Sequence, residues 1–559
     1  MEKRGHIVDV VRREIYDGVI VVEGDKIADV RPCALPPSEK AYPYLMPGFI
    51  DSHVHIESSM MEPHEFARVA VGHGTIGVVA DPHEMCNVMG VEGLDYMIRS
   101  GRRATMNICF GAPSCVPAVG GDIETSGAVL NADDIERLMA RDDIGFLGEM
   151  MNYVGALAGD EQVMKKIAAA QRHGKRVDGH APGLTGSERD KYVSAGISTD
   201  HECSTIEEGR ACIKAGMKVM IREGSAAKDY EQLKSLLGEN PGHVMLCTDD
   251  CHPEDLVHGH INAIVKRAIA DGFDLFDILQ AACVNPQRHY RLKWGLLQKG
   301  DPATFIEVDN IGPHFRIQHT FVCGEEVFSF NSSSGAIHAQ TLAGDEEVAY
   351  PNRFVASLIT GEDLHLDIAS GYTLHIINAA DGSLLTGHEV VTITGNPLID
   401  AKYPWPEVQK IVVYNRYTPG AKPVVGLIRG FGLRNGAIAS SVAHDCHNIV
   451  AIGLNEEYLV RAINRVVEMR GGQVVVSKDE MLDIALPIGG LMSPLSGHEV
   501  AYRCRMINDM VEKLGCTMKA PFITMAFMCL PVIPELKITD RCLWDSAKMQ
   551  PVEPVLKGE

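Results

Sequence analysis

The chain lacks the marks of an exported, membrane-spanning or nucleic-acid-binding protein. Its 559 residues hold 52 Lys and Arg against 74 Asp and Glu, a formal net charge of -22. With no basic surplus to neutralise phosphates or an anionic bilayer, no nucleic-acid and no membrane partner is expected. No apolar run is long enough to span a bilayer: the richest stretch, 522–536, is broken by Pro531 and Pro534. The N-terminal MEKRGHIVDVV has no apolar core of signal-peptide length, which points to a cytoplasmic location. The 15 cysteines form no CxxC pair, Cys247 and Cys251 being the nearest to a ligand spacing, so they read as reduced thiols. A sequon at Asn331 carries no meaning without secretion, and no fixed-period repeat or low-complexity segment occurs.

What the chain does have is a rhythm. Hydrophobic residues make up 45% and charged residues 23%, ordinary for globular protein, and the length calls for two or three domains. Residues 5–46 read as short strands. From residue 47 the pattern becomes strand, polar loop, helix, repeated. Strand candidates are 49–53, 75–81, 104–110, 144–149, 176–180, 197–201, 218–222 and 244–249. Between them lie helical periodicities such as GDEQVMKKIAAAQRHG, for which Gly174 is a C-terminal cap. Such alternation implies βαβ units and a parallel sheet, and eight of them fit a (β/α)8 barrel of the TIM type. The fold class is therefore α/β: a barrel over 49–291, a small flanking β domain from 1–48 plus 292–330, and an additional α+β domain over 350–559. The polar, small-residue run 331–352 reads as the linker before it.

The C-terminal ends of barrel strands meet on one face, and six residues able to bind metal close these runs. His53 and His55 close PGFIDSHVH, Glu149 closes IGFLGEMMN, His180 closes RVDGHAP, His201 closes GISTDHE and Asp249 closes VMLCTDD. Side chains alternate along a strand, so His53 and His55 share a side and can grip one ion. Four imidazoles and two carboxylates suit a pair of divalent transition metals sharing a bridging hydroxide. Glu149 would be the shared anion that offsets the repulsion between two cations. Asp249, the first acid beyond its apolar run, would contact metal and take the proton of the attacking hydroxide. Asp178 and Asp200 stand where they can orient strands or rings, and Asp250 and His252 follow Asp249 as second-layer partners. Asp81, His83 and Glu84 end the second strand; Glu57 follows the first metal pair. The sequence argues for a metal-dependent hydrolase. Farther on, SSVAHDCHNIVAIG ends in an apolar run. If its start is extended, Asp445 and His447 share a face and bind substrate, a further metal or each other; the other expectation is an internal hydrogen-bonded turn that holds the domain together.

MPGFIDSHVHIESSMM, ADPHE, GEMMN, DGHAPGLTG, DHECSTIEEG, MIREGSAAK and CTDDCHPEDL, taken together, resemble the adenine deaminase family of bacteria and archaea, a branch of the amidohydrolase superfamily. The likeness runs on through SSVAHDCHNIVAIG, LPIGGLMSP and LPVIPELKITD, so it covers nearly the whole chain. It implies hydrolysis of adenine, a small purine base, to hypoxanthine and ammonia in purine salvage. It implies two divalent ions, Mn2+ or Fe2+ with Zn2+ as a third option, and His53, His55, Glu149, His180, His201 and Asp249 as their ligands. Asp249 is the proton shuttle under this reading, with Glu84 or Asp81 assisting, and a homo-oligomer is expected. The other deaminase signature, HxE followed by PCxxC on one zinc, is absent, since His55-Ile-Glu57 has no PCxxC after it. A second reading uses the same metal pair to open cyclic amides, as dihydroorotase-like and hydantoinase-like enzymes do.

Overall fold

The structure, a computed structural model, describes residues 1–38, 41–330, 337–339, 350–393 and 407–557. Most of the expected linker, together with Asn331, lies outside the described residues. The chain divides into two compact units. The first comprises Met1–Pro82, Met97–Ser114 and Asn131–Glu347; the second comprises His83–Tyr96, Cys115–Leu130 and Val348–Glu559. Two segments from within the expected barrel span thus cluster with the C-terminal residues.

The first unit begins with β1 (Glu2–Asp9), β2 (Glu14–Glu23), β3 (Lys26–Pro32) and β4 (Tyr44–Met46). Eight strands follow: β5 (Phe49–Val54), β6 (Thr75–Ala80), β7 (Asn107–Ala112), β8 (Phe146–Met150), β9 (Arg176–Gly179), β10 (Thr199–Asp200), β11 (Lys218–Arg222) and β12 (Val244–Cys247). All pair in parallel, β5 to β9 in one run and β10 to β12 in another. Ser198 donates to the Val177 carbonyl at 3.0 Å between the runs, and Asp249 donates to the His53 carbonyl at 2.9 Å on the other side. His55 returns a bond to the Asp249 carbonyl at 3.1 Å, and the sheet closes as a TIM-type barrel. The third strand starts later than residue 104, because Thr105 and Met106 lie in a bend after the preceding helix.

Near-continuous apolar runs suit strands buried on both faces. Inside the barrel Val79, Phe146, Met220, Met245 and Cys247 pack together, with Tyr290 against Phe146 at 5.5 Å between ring centres. The helix Glu161–Arg172 ends on left-handed Gly174 (φ +66). Lys175 donates to the Ala170 carbonyl at 2.9 Å and Gly174 to that of Gln171 at 3.0 Å, a Schellman closure that returns the chain to β9. After the barrel, β13 (Phe305–Val308), β14 (Ile317–Val322), β15 (Glu325–Phe330) and β16 (Ile337–Ala339) join β1 to β4 in one sheet, ordered β16-β15-β14-β13-β4-β1-β2-β3. Ile7, Ile20, Leu45, Phe305 and Phe321 form its core.

In the second unit the main sheet runs through β17 (Thr373–Asn378), β18 (Gly387–Thr392), β19 (Val408–Tyr414), β20 (Val424–Arg429), β21 (Ala437–Ser440), β22 (Ile449–Gly453), β23 (Gly472–Val476) and β24 (Met481–Ala485), ordered β18-β17-β20-β19-β22-β21-β23-β24. The helix Glu456–Met469, capped by Asn455 on the Tyr458 amide, buries Leu459, Ala462, Ile463 and Val466 in this unit's core. Among the described residues no helix is long and apolar enough to cross a membrane.

Candidate active site

The ends of the barrel strands bring four histidines and two acids together in the buried interior of the first unit. His53 closes β5, and His55, one residue past it, keeps extended backbone, so both rings turn the same way. Their centres stand 4.8 Å apart, edge to face, and His201 stacks on His53 at 4.2 Å. Glu149 lies between two pairs. Its Oε1 is 3.2 Å from His55 Nε2 and 3.9 Å from His53 Nε2, while its Oε2 is 2.8 Å from His180 Nδ1 and 3.4 Å from His201 Nε2. Asp249 Oδ1 is 3.1 Å from His55 Nε2 and 3.5 Å from His53 Nε2. Asp249 has left-handed backbone, φ +59, a strain that an aspartate tolerates better than most residues and that clusters at functional sites.

The donor set fits a pair of divalent ions. His53 is fully buried, and among the described residues neither ring nitrogen has a hydrogen-bond partner of good geometry, Asp249 Oδ1 standing 3.5 Å from Nε2. A buried imidazole without partners is costly unless a cation takes its lone pair. The charges agree. Burial would raise the Glu149 carboxyl, but His180, His55 and His201 outweigh it and hold it well below the usual range. Burial likewise opposes ionisation of Asp249, and His201, His53, His55 and Arg222 reverse it.

A second layer fixes these groups. His55 Nδ1 donates to the Asp81 carbonyl at 2.9 Å, which leaves Nε2 facing inward as an acceptor. Asp81 Oδ2 accepts the Glu149 amide at 2.8 Å. The Tyr192 hydroxyl donates to the Met150 carbonyl at 2.8 Å and accepts the His180 amide at 3.1 Å, tying β8 to β9. Asp178 takes hydrogen bonds from Tyr290 at 2.7 Å and Thr199 at 3.0 Å, and burial lifts its carboxyl to about 7 against them. Asp200 accepts the Ala181 amide at 3.1 Å, so it holds backbone next to His180. A Cβ on residue 148 would sit 2.2 Å from Asp81 Oδ2. Gly148→Ala is therefore expected to push Asp81 off the Glu149 amide, costing about 1–3 kcal/mol of stability and weakening metal retention. Thermal melts and metal analysis of the variant check this; unchanged values on both would show that the close approach does not matter.

The remaining candidates divide. Asp250 accepts from Ser58 at 2.6 Å and stands near His55 and Asp249. Glu57 is buried one residue past the first pair, in the turn Ile56–Ser59. His252 caps the short helix Pro253–Leu256, and its amide donates to Ser225 Oγ at 2.9 Å. His83, Glu84, Asp445 and His447 belong to the second unit. There Glu84 Oε1 lies 2.8 Å from His444 Nδ1 and its Oε2 lies 2.7 Å from His447 Nε2, with His83 Nε2 at 3.8 Å. The segment from Ser441 is not extended: of the two expectations for it the internal turn holds, and the pairing of Asp445 with His447 along a strand does not arise. His447 donates to the Ala443 carbonyl at 2.7 Å across a turn and has left-handed backbone, φ +52, so it and His444 flank Glu84 instead.

Sequence reading passed over Glu202 and Arg222. Arg222 ends β11, buried; its Nη1 bonds Glu202 Oε1 and Asp249 Oδ2, the latter at 3.0 Å, and its Nε reaches Asp229 Oδ2 at 3.0 Å. An arginine closing an apolar strand was the available signal. Also unforeseen is Asp51, which accepts the Thr248 amide at 3.1 Å and meets His260 Nε2 at 3.0 Å, linking β5 to the end of β12.

A closed parallel barrel whose strand ends present these donors defines a metal-dependent hydrolase of the amidohydrolase class, and residues 44–335 match the Amidohydrolase family. Residues 383–550 match the adenine deaminase C-terminal domain. Similarity to whole proteins is equally extensive: 46% identity to the adenine deaminase of Salinibacter ruber, over 98% of both chains, and 43% to that of Methanosarcina mazei, again over 98% of both. The chain belongs to the adenine deaminase family.

Proposed function

We propose that the chain hydrolyses adenine to hypoxanthine and ammonia at the strand ends of the barrel, with two divalent ions, Mn2+ or Fe2+ ahead of Zn2+. The observation that carries the reading is Glu149, whose two oxygens face separate histidine pairs. One ion would be held by His53, His55, Glu149 Oε1 and Asp249, the other by Glu149 Oε2, His180 and His201. Ions bound there supply a nucleophile at neutral pH by lowering the pKa of bound water.

The chain's own groups handle the protons. Asp249 takes the proton released by the attacking water and delivers it to the amino nitrogen on C6, so that ammonia leaves rather than an amide ion. Arg222, 3.0 Å from Asp249 Oδ2, keeps the carboxylate ionised between turnovers. Asp81 is engaged by the Glu149 amide, so its part is positioning. Glu84 starts ionised: burial opposes this, but His444 and His447 hold its carboxyl well below the usual range. It enters as a base that takes the other proton of the attacking water and passes it to the ring nitrogen beside C6.

The test is ammonia release by the protein reconstituted with Mn2+ or Fe2+. Adenine should be turned over, and adenosine, which carries a sugar on N9, should not. Opening of a cyclic amide with no action on adenine would replace this reading by the cyclic amidohydrolase one.

A further inference from the structure

Glu202 directly follows His201 in sequence, and its Oε1 is 3.4 Å from His201 Nε2 and 3.7 Å from His180 Nδ1. These are the two nitrogens that face Glu149 Oε2, at 3.4 Å and 2.8 Å. Donors bound at about 2.1 Å to a common ion stand about 3.4 Å apart along tetrahedral edges and about 3.0 Å along octahedral ones. The four separations average close to these values, as expected of donors surrounding one point.

Arg222 supplies an independent argument. Its guanidinium is buried and directed at Asp249 and Glu202. A fixed cation facing a centre built for two divalent ions is repelled unless an anion stands between them. Asp249 Oδ2 is that anion on the side of the first ion and Glu202 Oε1 on the side of the second. Glu202 Oε1 spends one lone pair on the Arg222 N–H and keeps another for the side where the two imidazole nitrogens lie. Asp229, on Arg222 Nε at 3.0 Å, holds the guanidinium from behind.

We infer that Glu202 is a further protein ligand of the second ion, which then has four protein donors: Glu149, His180, His201 and Glu202. Arg222 supports Glu202 from the side away from the metal. The inference rests on the two-ion reading of the six strand-end residues, and one titration separates the two. Apoprotein is titrated with Mn2+ while free Mn2+ is followed by electron paramagnetic resonance. Wild type should bind two equivalents; fewer than two would overturn the two-ion reading itself.

Given two equivalents in wild type, Glu202→Gln should weaken one of them, here called the second whatever the order of filling, by at least tenfold and leave the other unchanged. Unchanged affinity for the second equivalent overturns the proposal. A loss in this variant could also come from Arg222 left without its anion, and the double replacement Glu202→Gln with Arg222→Met decides that. Continued weakness of the second equivalent supports ligation. Recovery to within about twofold of wild type means that Glu202 only neutralised Arg222, and overturns it. Should the single variant fail to fold, the double replacement, which leaves Arg222 absent, carries the same two outcomes.

Discussion

Glu149→Gln should leave a folded protein that retains neither its full metal complement nor useful turnover. Gln has nearly the volume of Glu, and the residue-149 amide still meets Asp81, so β8 keeps its place. What changes is the charge between two histidine pairs. The amide puts an NH2 where one oxygen had faced either His53 and His55 or His180 and His201. An NH2 group cannot ligate, and with the anion gone nothing offsets the repulsion of two cations at one residue. The loss should exceed the ~10–100-fold cost typical of removing an outer-layer partner. Metal content, kcat on adenine and the melting temperature are the measurements. A variant with two bound ions and ordinary turnover would remove Glu149 from the centre.

The candidate site was legible in the sequence wherever a residue's task depends only on its place along a strand. His53, His55, Glu149, His180, His201 and Asp249 each close an apolar run, and parallel strands in a closed sheet must bring such ends together. The barrel itself was legible for the same reason, and the third strand is displaced because the turn after the preceding helix extends into Thr105 and Met106. Glu202 and Arg222 were not legible. Glu202 is next to a strand end rather than on it, and Arg222 gains significance only because Glu202 and Asp249 lie on either side of its guanidinium. Tyr192 and Asp51 act by reaching other strands, which periodicity cannot reveal. The segment at Ser441 allows either an extended start or an internal turn, and a left-handed His447 and the bond to the Ala443 carbonyl make it the turn. Local pattern carries no information about a tertiary partner such as Glu84, over three hundred and fifty residues earlier in the chain.

Glu84→Gln should lower kcat by about 10²–10⁴, the usual range for a lost general base, with both metal equivalents retained. Glu84 is buried between two imidazoles of its own unit, and the tautomer of one is fixed. His447 Nδ1 accepts the Ala443 amide at 3.3 Å, so its proton is on Nε2, 2.7 Å from Glu84 Oε2. Burial pushes the His447 pKa below its ordinary value, which keeps the ring a neutral donor. Gln fills the same space and retains an acceptor oxygen, so most of the packing survives while the base is gone. The competing account is that Glu84, His444 and His447 only brace the second unit, and His447→Ala with Asp445→Asn separates the two. Asp445 lies 3.7 Å from His444 Nδ1 and makes no such approach to Glu84 among the described contacts, so Asp445→Asn should disturb turnover less than His447→Ala. If kcat/KM falls in His447→Ala with the melting temperature held, the histidine acts through Glu84 on the reaction. If the melting temperature falls while the folded fraction turns over adenine normally, the trio is a brace, and the ring proton must come from another group.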